Sequence, residues 1–318
     1  MGGMPPLGPG AYAEGMAGDE RMEQAALVAL LRGKSGGARW AEVMANVMEA
    51  GSALDVWHAR VPDALLPLPA ESDPLQVAVA DIERWTQSGL RFMTIMDEEY
   101  PSQLRAIHEA PPVLFTRGML VGDDRAVSVV GSRKASERGL LMASAIARSL
   151  VGAGMTIVAG LALGVDTAAH RAALDAGGRT VAFIGTGINR TYPAQNRSLH
   201  EEIAEKGLLA SQFWPDAPPQ KFTFLMRNAT MSGYGCATVV VEAGEQSGAR
   251  AQARMAVSHG RPVILTDLVV EKNTWAQAMV GRPGVRVASS TQEVVDIVCG
   301  LVRGTADVED ALRHLVQV

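Results

Sequence analysis

VSVVGSR, residues Val127 to Arg133, decides the fold of this 318-residue chain. Four mostly β-branched residues run into Gly-Ser-Arg, and a helical pattern begins just beyond. That succession predicts a buried strand ending in a tight turn at a helix N-terminus, where backbone N–H groups face outward and favour an anion. Arg133 adds a forked cation at the same place, so the turn reads as a phosphate site. Two more strand-to-loop junctions follow, TIVAGLALGVD (156–166) and TVAFIGTG (180–187). In an open parallel sheet such loops line up along one edge.

Working outward, apolar strands are predicted at 127–130, 156–159, 180–184, 208–212, 237–241, 262–266 and 285–288. Amphipathic helices alternate with them at 137–152, 166–176, 196–206, 224–232, 248–259, 272–280 and 291–302. Strands apolar on both faces are parallel strands covered on both sides. The predicted class is α/β, an extended Rossmann-like, doubly wound, mostly parallel sheet. Upstream, RFMTIMDEEYPSQLRAIHEAPPVLFTRGML (91–120) reads as strand, turn, short helix and strand. The expected organisation is a disordered N-terminus over 1–20, a small acidic helical region over 21–88, the Rossmann-like domain over 89–303, and a C-terminal helix or tail over 304–318. Within the helical region, helices are expected from Met22 to about Leu31, from Trp40 to about Val56 and from Leu75 to Ser88, with the Pro-rich VPDALLPLPAESDP (61–74) between.

Composition bounds the function. At 47% hydrophobic residues the chain can bury a full core. No apolar run is long enough to span a bilayer, so no membrane partner is expected. The N-terminus lacks a secretory pattern, and Pro6 breaks the myristoylation pattern. Cys236 and Cys299 read as reduced core thiols, and the expected location is cytoplasmic. Net charge is −5, but residues 1–126 carry −8 and residues 127–265 carry +5. The phosphate-type loops therefore lie in the positive segment, which suits a polyanion. The excess is small enough to be ordinary surface patchiness as well.

The candidate site residues follow the loops. GSRKASERG (131–139) offers Gly131 for the turn, Ser132 as a donor, Arg133 as the fork and Lys134 as added charge. AGLALGVDTAAHRAAL (159–174) places Gly160 and Gly164 at a strand-to-helix turn, with Asp166 as an N-cap. His170 is read mainly as a packing or orienting residue, with a ligand contact as the alternative. In IGTGINRTYPAQN (184–196), Gly185 and Gly187 allow close backbone approach to a ligand. FWPDAPPQKFTFLMRN (213–228) holds four of the chain's 15 aromatic residues within 12 positions, flanked by Lys221 and Arg227. Cations beside rings suit single-stranded nucleic acid, where stacking is worth roughly 1–3 kcal/mol per base. Phe222 is read as packing; Phe224 is divided between stacking and packing. In TVVVEAGEQSGARAQARMA (238–256), Ser247 and Gly248 form a second anion-type helix start. Glu242 reads as a cap or loop tie, with a general base as the alternative. No dinucleotide fingerprint, P-loop, zinc pattern or nucleophile elbow occurs; no cofactor, metal or catalytic residue is expected.

These motifs, in this order, resemble the DNA-processing protein A (DprA/Smf) family over roughly residues 90–300. YPSQLRAIHEAPPVLFTRG (100–118) and GRPVIL (260–265) add to the likeness. The resemblance implies an extended Rossmann domain behind a small helical domain, and a protein that binds single-stranded DNA without cutting it. It further implies assistance in loading a RecA-type recombinase, a role in natural transformation, and a homodimer. By motif, Arg133 matches the arginine of the family's phosphate contact. Lys221 and Phe224 match its lysine and base-contacting ring, and Arg227 and Asn228 its R-N pair. Two stretches depart from the pattern. Ala229 stands where the family continues with an arginine, and TDLVVEKNTWAQAMVGRPGV (266–285) replaces a Pro-Gly turn and a Gly-rich loop.

Two other readings remain at this level. A nucleotide sensor or phosphoribohydrolase-like enzyme would use the same rim, although GEQSGARAQA has Ala where such enzymes carry a catalytic Glu. A pure interaction protein with a vestigial groove is the third, motivated by Ala229.

Overall fold

The computed structural model describes residues 18–33, 40–60 and 73–316. The expected disorder over 1–17, the loop 34–39 and the Pro-rich stretch 61–72 lie outside the described residues. The described residues form two compact units, one of those up to Tyr100 with 112–114, the other of 101–111 with those from Phe115 on.

The smaller unit holds α1 (Gly18–Arg32), α2 (Trp40–Ala50), α3 (Ala53–Arg60), α4 (Pro74–Gln87) and β1 (Arg91–Thr94). Helix α1 is the centre of this unit: every residue from Gln24 to Leu31 is buried, as expected of a helix covered all round. It packs on α3 and α4. It begins at Gly18, inside the stretch expected to be disordered. The helix expected from Trp40 to Val56 is two helices. Gly51 takes a left-handed φ of 75°, and the Glu23 carboxylate accepts from Ser52 Oγ (2.6 Å) and Ala53 N (2.7 Å), capping α3 afresh. Asp73 caps α4 by accepting from Leu75 N, with Pro74 as its first residue.

The larger unit holds α5 (Ser102–Arg105) and β2 (Val113–Gly118) from Phe115 onward, then β3 (Ala126–Val130), α6 (Glu137–Gly152), β4 (Thr156–Ala159), α7 (Val165–Asp175) and β5 (Thr180–Phe183). A short 3-10 turn (Ala194–Asn196) leads into α8 (Arg197–Lys206), β6 (Leu208–Ser211) and α9 (Lys221–Tyr234). Then come β7 (Ala237–Val240), α10 (Gly248–Ser258), β8 (Val263–Thr266), α11 (Asp267–Val270), α12 (Thr274–Gln277), β9 (Val285–Ala288) and α13 (Thr291–Val316). The strand order is β2-β6-β5-β4-β3-β7-β8-β9. All pairs from β6 to β9 are parallel, with Val127 opposite Ile157 and Ala237; β2 runs antiparallel to β6. This is the doubly wound α/β class expected from the strand–helix alternation. From β3 the chain winds outward through β6, then crosses by α9 to β7 on the other side of β3. The order therefore reverses beside β3, which is where open α/β sheets hold ligands.

One face of the sheet is closed by α6, α7 and α13 over Val127, Val129, Ile157 and Val239, with Ile146 and Leu150 fully buried. Ala169, Ala172 and Ala173 give α7 a small-residue face that lets α6 approach closely. On the other face α9 packs against α10. Of the expected helix 272–280, only α12 (Thr274–Gln277) forms, and α11 lies before it, outside the expected range. Buried Asn273 takes an extended backbone between them, and its Nδ2 donates to Ala243 O (2.8 Å) and Val269 O (2.9 Å). No break separates a tail at residue 304, because α13 runs on to Val316. Helix α9 begins three residues before its expected start at Phe224, which puts Lys221 on the helix.

Candidate nucleic-acid interface

The carboxyl ends of β3, β4, β5 and β7 form the rim, and α9 lies across it. Thr223 pins the first turn of α9 to the β5 loop, its Oγ1 donating to Gly185 O at 2.6 Å. That contact sets Phe224 against Gly185, where any Cβ would overlap the ring. The Arg133 guanidinium lies 5.3 Å from the Phe224 centroid, and the Tyr192 ring lies 5.5 Å from it, tilted at 40°. Arg133 and Lys134 are exposed, as is Lys221 one turn before Phe224. The β3 turn and the head of α9 thus present cations around a partly open pair of rings.

Arg227 does not join those cations at the surface. It is 5% exposed and belongs to the interior, a correction to its expected phosphate role. Its Nη1 donates to Gly160 O and to Phe183 O (2.8 Å), and its Nε to Asn228 Oδ1 (3.1 Å). The side chain therefore ties together the ends of β4 and β5, 6.0 Å from the inner side of Phe224. Burial pulls its guanidinium down to about 10, with Asp166 pulling it up and Arg133 pushing it further down; it stays charged at neutral pH. Asn228 is equally enclosed, donating from Nδ2 to Gly248 O at 3.3 Å.

The anion seat at the start of α6 is already filled. The Glu242 carboxylate, from the end of β7, accepts from Ser136 N (3.1 Å) and Ser136 Oγ (2.7 Å), while Ser136 Oγ caps Gly139 N. This helix N-terminus holds the protein's own carboxylate. Glu242 is a loop tie, and its oxygens are committed. Ser132 N donates to Glu242 O at 2.6 Å, and Ser132 Oγ accepts from Lys134 N, so Ser132 shapes the turn.

The site glycines make room for protein rather than for a ligand. A Cβ at Gly131 would meet Glu242 O and Val165, at Gly160 the Arg227 guanidinium, and at Gly187 the carbonyls of Trp214 and Pro215. Gly164, at a φ of 79°, is the N-cap of α7. Asp166 lies inside that helix, not at its cap. Its Oδ2 accepts from Gly160 N (2.9 Å) and Ala162 N (3.3 Å), and burial raises its carboxyl above the usual range, opposed by Arg227. His170 is fully buried, its Nδ1 2.7 Å from Thr180 Oγ1; burial, reinforced by the Arg227 charge, pulls it down to about 3. It is a neutral packing residue. Ser247 caps α10 through Arg250 N, leaving exposed Gly248 at the helix start.

Two surface rings escaped the sequence reading. Tyr192 is 43% exposed, and Phe222, expected to pack inside, is 57% exposed. The signal for Tyr192 was available, an aromatic before proline in the loop after Gly-x-Gly. For Phe222 the helical phase decides: with Thr223 and Arg227 facing in, residue 222 faces out. Ala229 is buried, so that position adds no surface cation. Among the described residues, no helix is long and apolar enough to cross a membrane.

These features define a Rossmann-type protein whose carboxyl rim offers arginine, lysine and aromatic rings to a ligand. The chain matches the DNA recombination-mediator protein A family over residues 91–298, and it belongs to that family. Protein Smf of Synechocystis is 38% identical over 187 residues, 57% of this chain and 47% of that protein. DNA processing protein DprA of Streptococcus pneumoniae is 39% identical over 171 residues, 54% of this chain and 60% of the relative. The chain thus spans about half to three fifths of the length of these curated relatives. The X-ray structure of the Streptococcus pneumoniae protein superimposes with a TM-score of 0.64 at 27% identity, covering 87% of this chain and 95% of that one. DNA processing protein A from Helicobacter pylori, described with a unique single-stranded DNA binding mode, matches with a TM-score of 0.59 at 24% identity. It covers 66% of this chain and 96% of its own, and this second likeness is one of fold.

Proposed function

We propose that the carboxyl rim binds single-stranded DNA without cutting it. The observation that carries this reading is the exposed Arg133 guanidinium 5.3 Å from Phe224, with Tyr192 against the same ring. Bases stack on Phe224 and Tyr192 while phosphates meet Arg133, Lys134 and Lys221, an arrangement tolerant of sequence. Phe222 beside Lys221 lengthens the platform. Gly131, Ser132, Gly160, Gly185, Gly187, Arg227, Asn228, Ser247 and Gly248 serve by building the rim. Membership in the DNA recombination-mediator family supports the choice of DNA. The binding reading is favoured over hydrolysis because Ala stands where such hydrolases carry their catalytic Glu, and Glu242, the alternative general base, is held by Ser136. In this reading the chain acts as a cytoplasmic homodimer that protects single strands and passes them to a RecA-type recombinase during DNA uptake or recombination; that extension rests on the family alone.

Anisotropy of a labelled oligo-dT across a salt series tests the rim. Arg133→Ala is expected to weaken binding about tenfold for all sequences alike and to lower the salt slope by about 1. Unchanged affinity would remove the rim from consideration. Light scattering of the full chain checks the dimer, and a monomeric mass would end that part.

A further inference from the structure

Helices α10 and α12 leave between them a cavity of about 250 Å³, lined by Arg250, Arg254, Trp275, Ala278, Met279 and Arg282. Arg250 and Arg254 stand one turn apart on α10 and share a face; Arg282 comes from the turn beyond α12. Two of the three are steadied by backbone: Arg250 Nη1 donates to Glu245 O at 3.0 Å, and Arg282 Nε to Ala278 O at 3.1 Å. Among the described residues, none of the three is in an ion pair, and no acidic side chain lines the cavity. Three guanidinium groups around one cavity repel one another, and an anion between them removes that repulsion.

The floor is apolar and firm. Trp275 is 6% and Met279 5% exposed. Trp275 Nε1 donates to Gly244 O at 3.3 Å, and Thr274 Oγ1 bonds Glu245 Oε1 at 3.0 Å. Forked cations beside an aromatic, apolar floor suit a phosphate joined to a flat organic body. The volume is of the order of one nucleotide unit. Trp275, Ala278, Met279 and Arg282 all lie in 266–285, the stretch that departs from the family pattern, so the family likeness does not supply this site.

We propose that this cavity is a second phosphate site, taking the phosphate and base of a single nucleotide. A free nucleoside monophosphate and one residue of a DNA strand present that same chemistry. The strand as source rests on the single-stranded DNA reading above; the free nucleotide does not.

The test uses the full chain and two probes, dTMP by calorimetry and labelled oligo-dT by anisotropy. The double variant Arg254→Gln/Arg282→Gln alters two exposed side chains, so the fold is retained. Arg148→Gln, exposed on α6, controls for general loss of charge. The double variant is expected to weaken at least one probe about tenfold or more, with Arg148→Gln leaving both unchanged. Loss of dTMP binding identifies the free nucleotide; loss confined to the oligonucleotide identifies the strand. Wild-type affinity for both probes, or an equal loss in Arg148→Gln, overturns the site. Arg133→Ala keeps the two proposals apart. If it leaves oligonucleotide binding intact while the double variant weakens a probe, the rim reading fails and this one stands.

Discussion

The head of α9 and the rest of the same helix do different work. From Lys221 to Met226 the helix exposes Lys221, Phe222, Leu225 and Met226; from Arg227 to Tyr234 every residue is buried. Phe224 stands at the change, with surface Arg133 against it and interior Arg227 behind it. The two arginines flank one ring and have opposite environments. The outer one is free to meet a phosphate, whereas the inner one satisfies two rim carbonyls that would otherwise lie unpaired in the interior. A motif that reads in sequence as one strip of cations and rings is divided by helical phase into an exposed surface, the one proposed to bind, and a core that holds that surface in place.

The comparison breaks most readily at Arg227. Arg227→Gln leaves Gly160 O and Phe183 O without their donor and Asp166 without its counter-charge. Losing one member of such a buried arrangement costs about 3–5 kcal/mol. Urea unfolding should show that loss as a lower midpoint, while Lys221→Gln stays within about 0.5 kcal/mol of wild type, as surface substitutions do. Equal midpoints for the two variants would mean that the helix is not divided at this point.

That division marks where the sequence stopped being readable. Apolar runs flanked by Gly located the strands because parallel strands are buried on both faces, and each of the seven appears within a residue of its expected place. The tertiary partners of the loops were not readable. Nothing local to GSRKASERG tells that Glu242, more than a hundred residues on, fills the α6 N-terminus. Nothing local to TVAFIGTG tells that Gly185 makes way for Phe224 rather than for a ligand. Phe222 reads as packing when α9 is taken to start at Phe224; the helix starts at Lys221, and its phase turns residue 222 outward. The helix expected at 272–280 is shortened to 274–277, because Asn273 stands extended before it and its side chain bonds the carbonyl of a distant loop.

A second inward residue sharpens the contrast through pH. His170 is neutral when folded, its imidazole pulled down to about 3 from an ordinary 6.5. The unfolded chain takes up that proton below about 6.5 and the folded chain does not, so the contribution of His170 to stability is complete above 6.5. It declines as pH falls towards 3, by at most about 1.4 kcal/mol per unit. Asp166 acts the other way, because its raised carboxyl takes a proton in the folded state first. The readout is therefore the difference between proteins: His170→Gln should flatten the acid side of the stability curve while leaving the salt slope of DNA binding alone. An unchanged acid limb would show that His170 titrates normally and is not enclosed.

The outward side is tested most finely by its uncharged rings. Phe224→Ala should cost roughly 1–3 kcal/mol of binding, about 5- to 150-fold in affinity for oligo-dT. Tyr192→Ala, at the more exposed edge of the pair, should cost less, about threefold, within the roughly 0.5–1.5 kcal/mol of an aromatic pair. Neither ring releases a counterion, so both variants should keep the wild-type salt slope, whereas Arg133→Ala lowers it. The pattern across the three variants separates stacking from charge on one surface. A Phe224→Ala protein with a reduced slope and intact affinity at low salt would mean that the ring serves only to aim Arg133, and that the bases lie elsewhere.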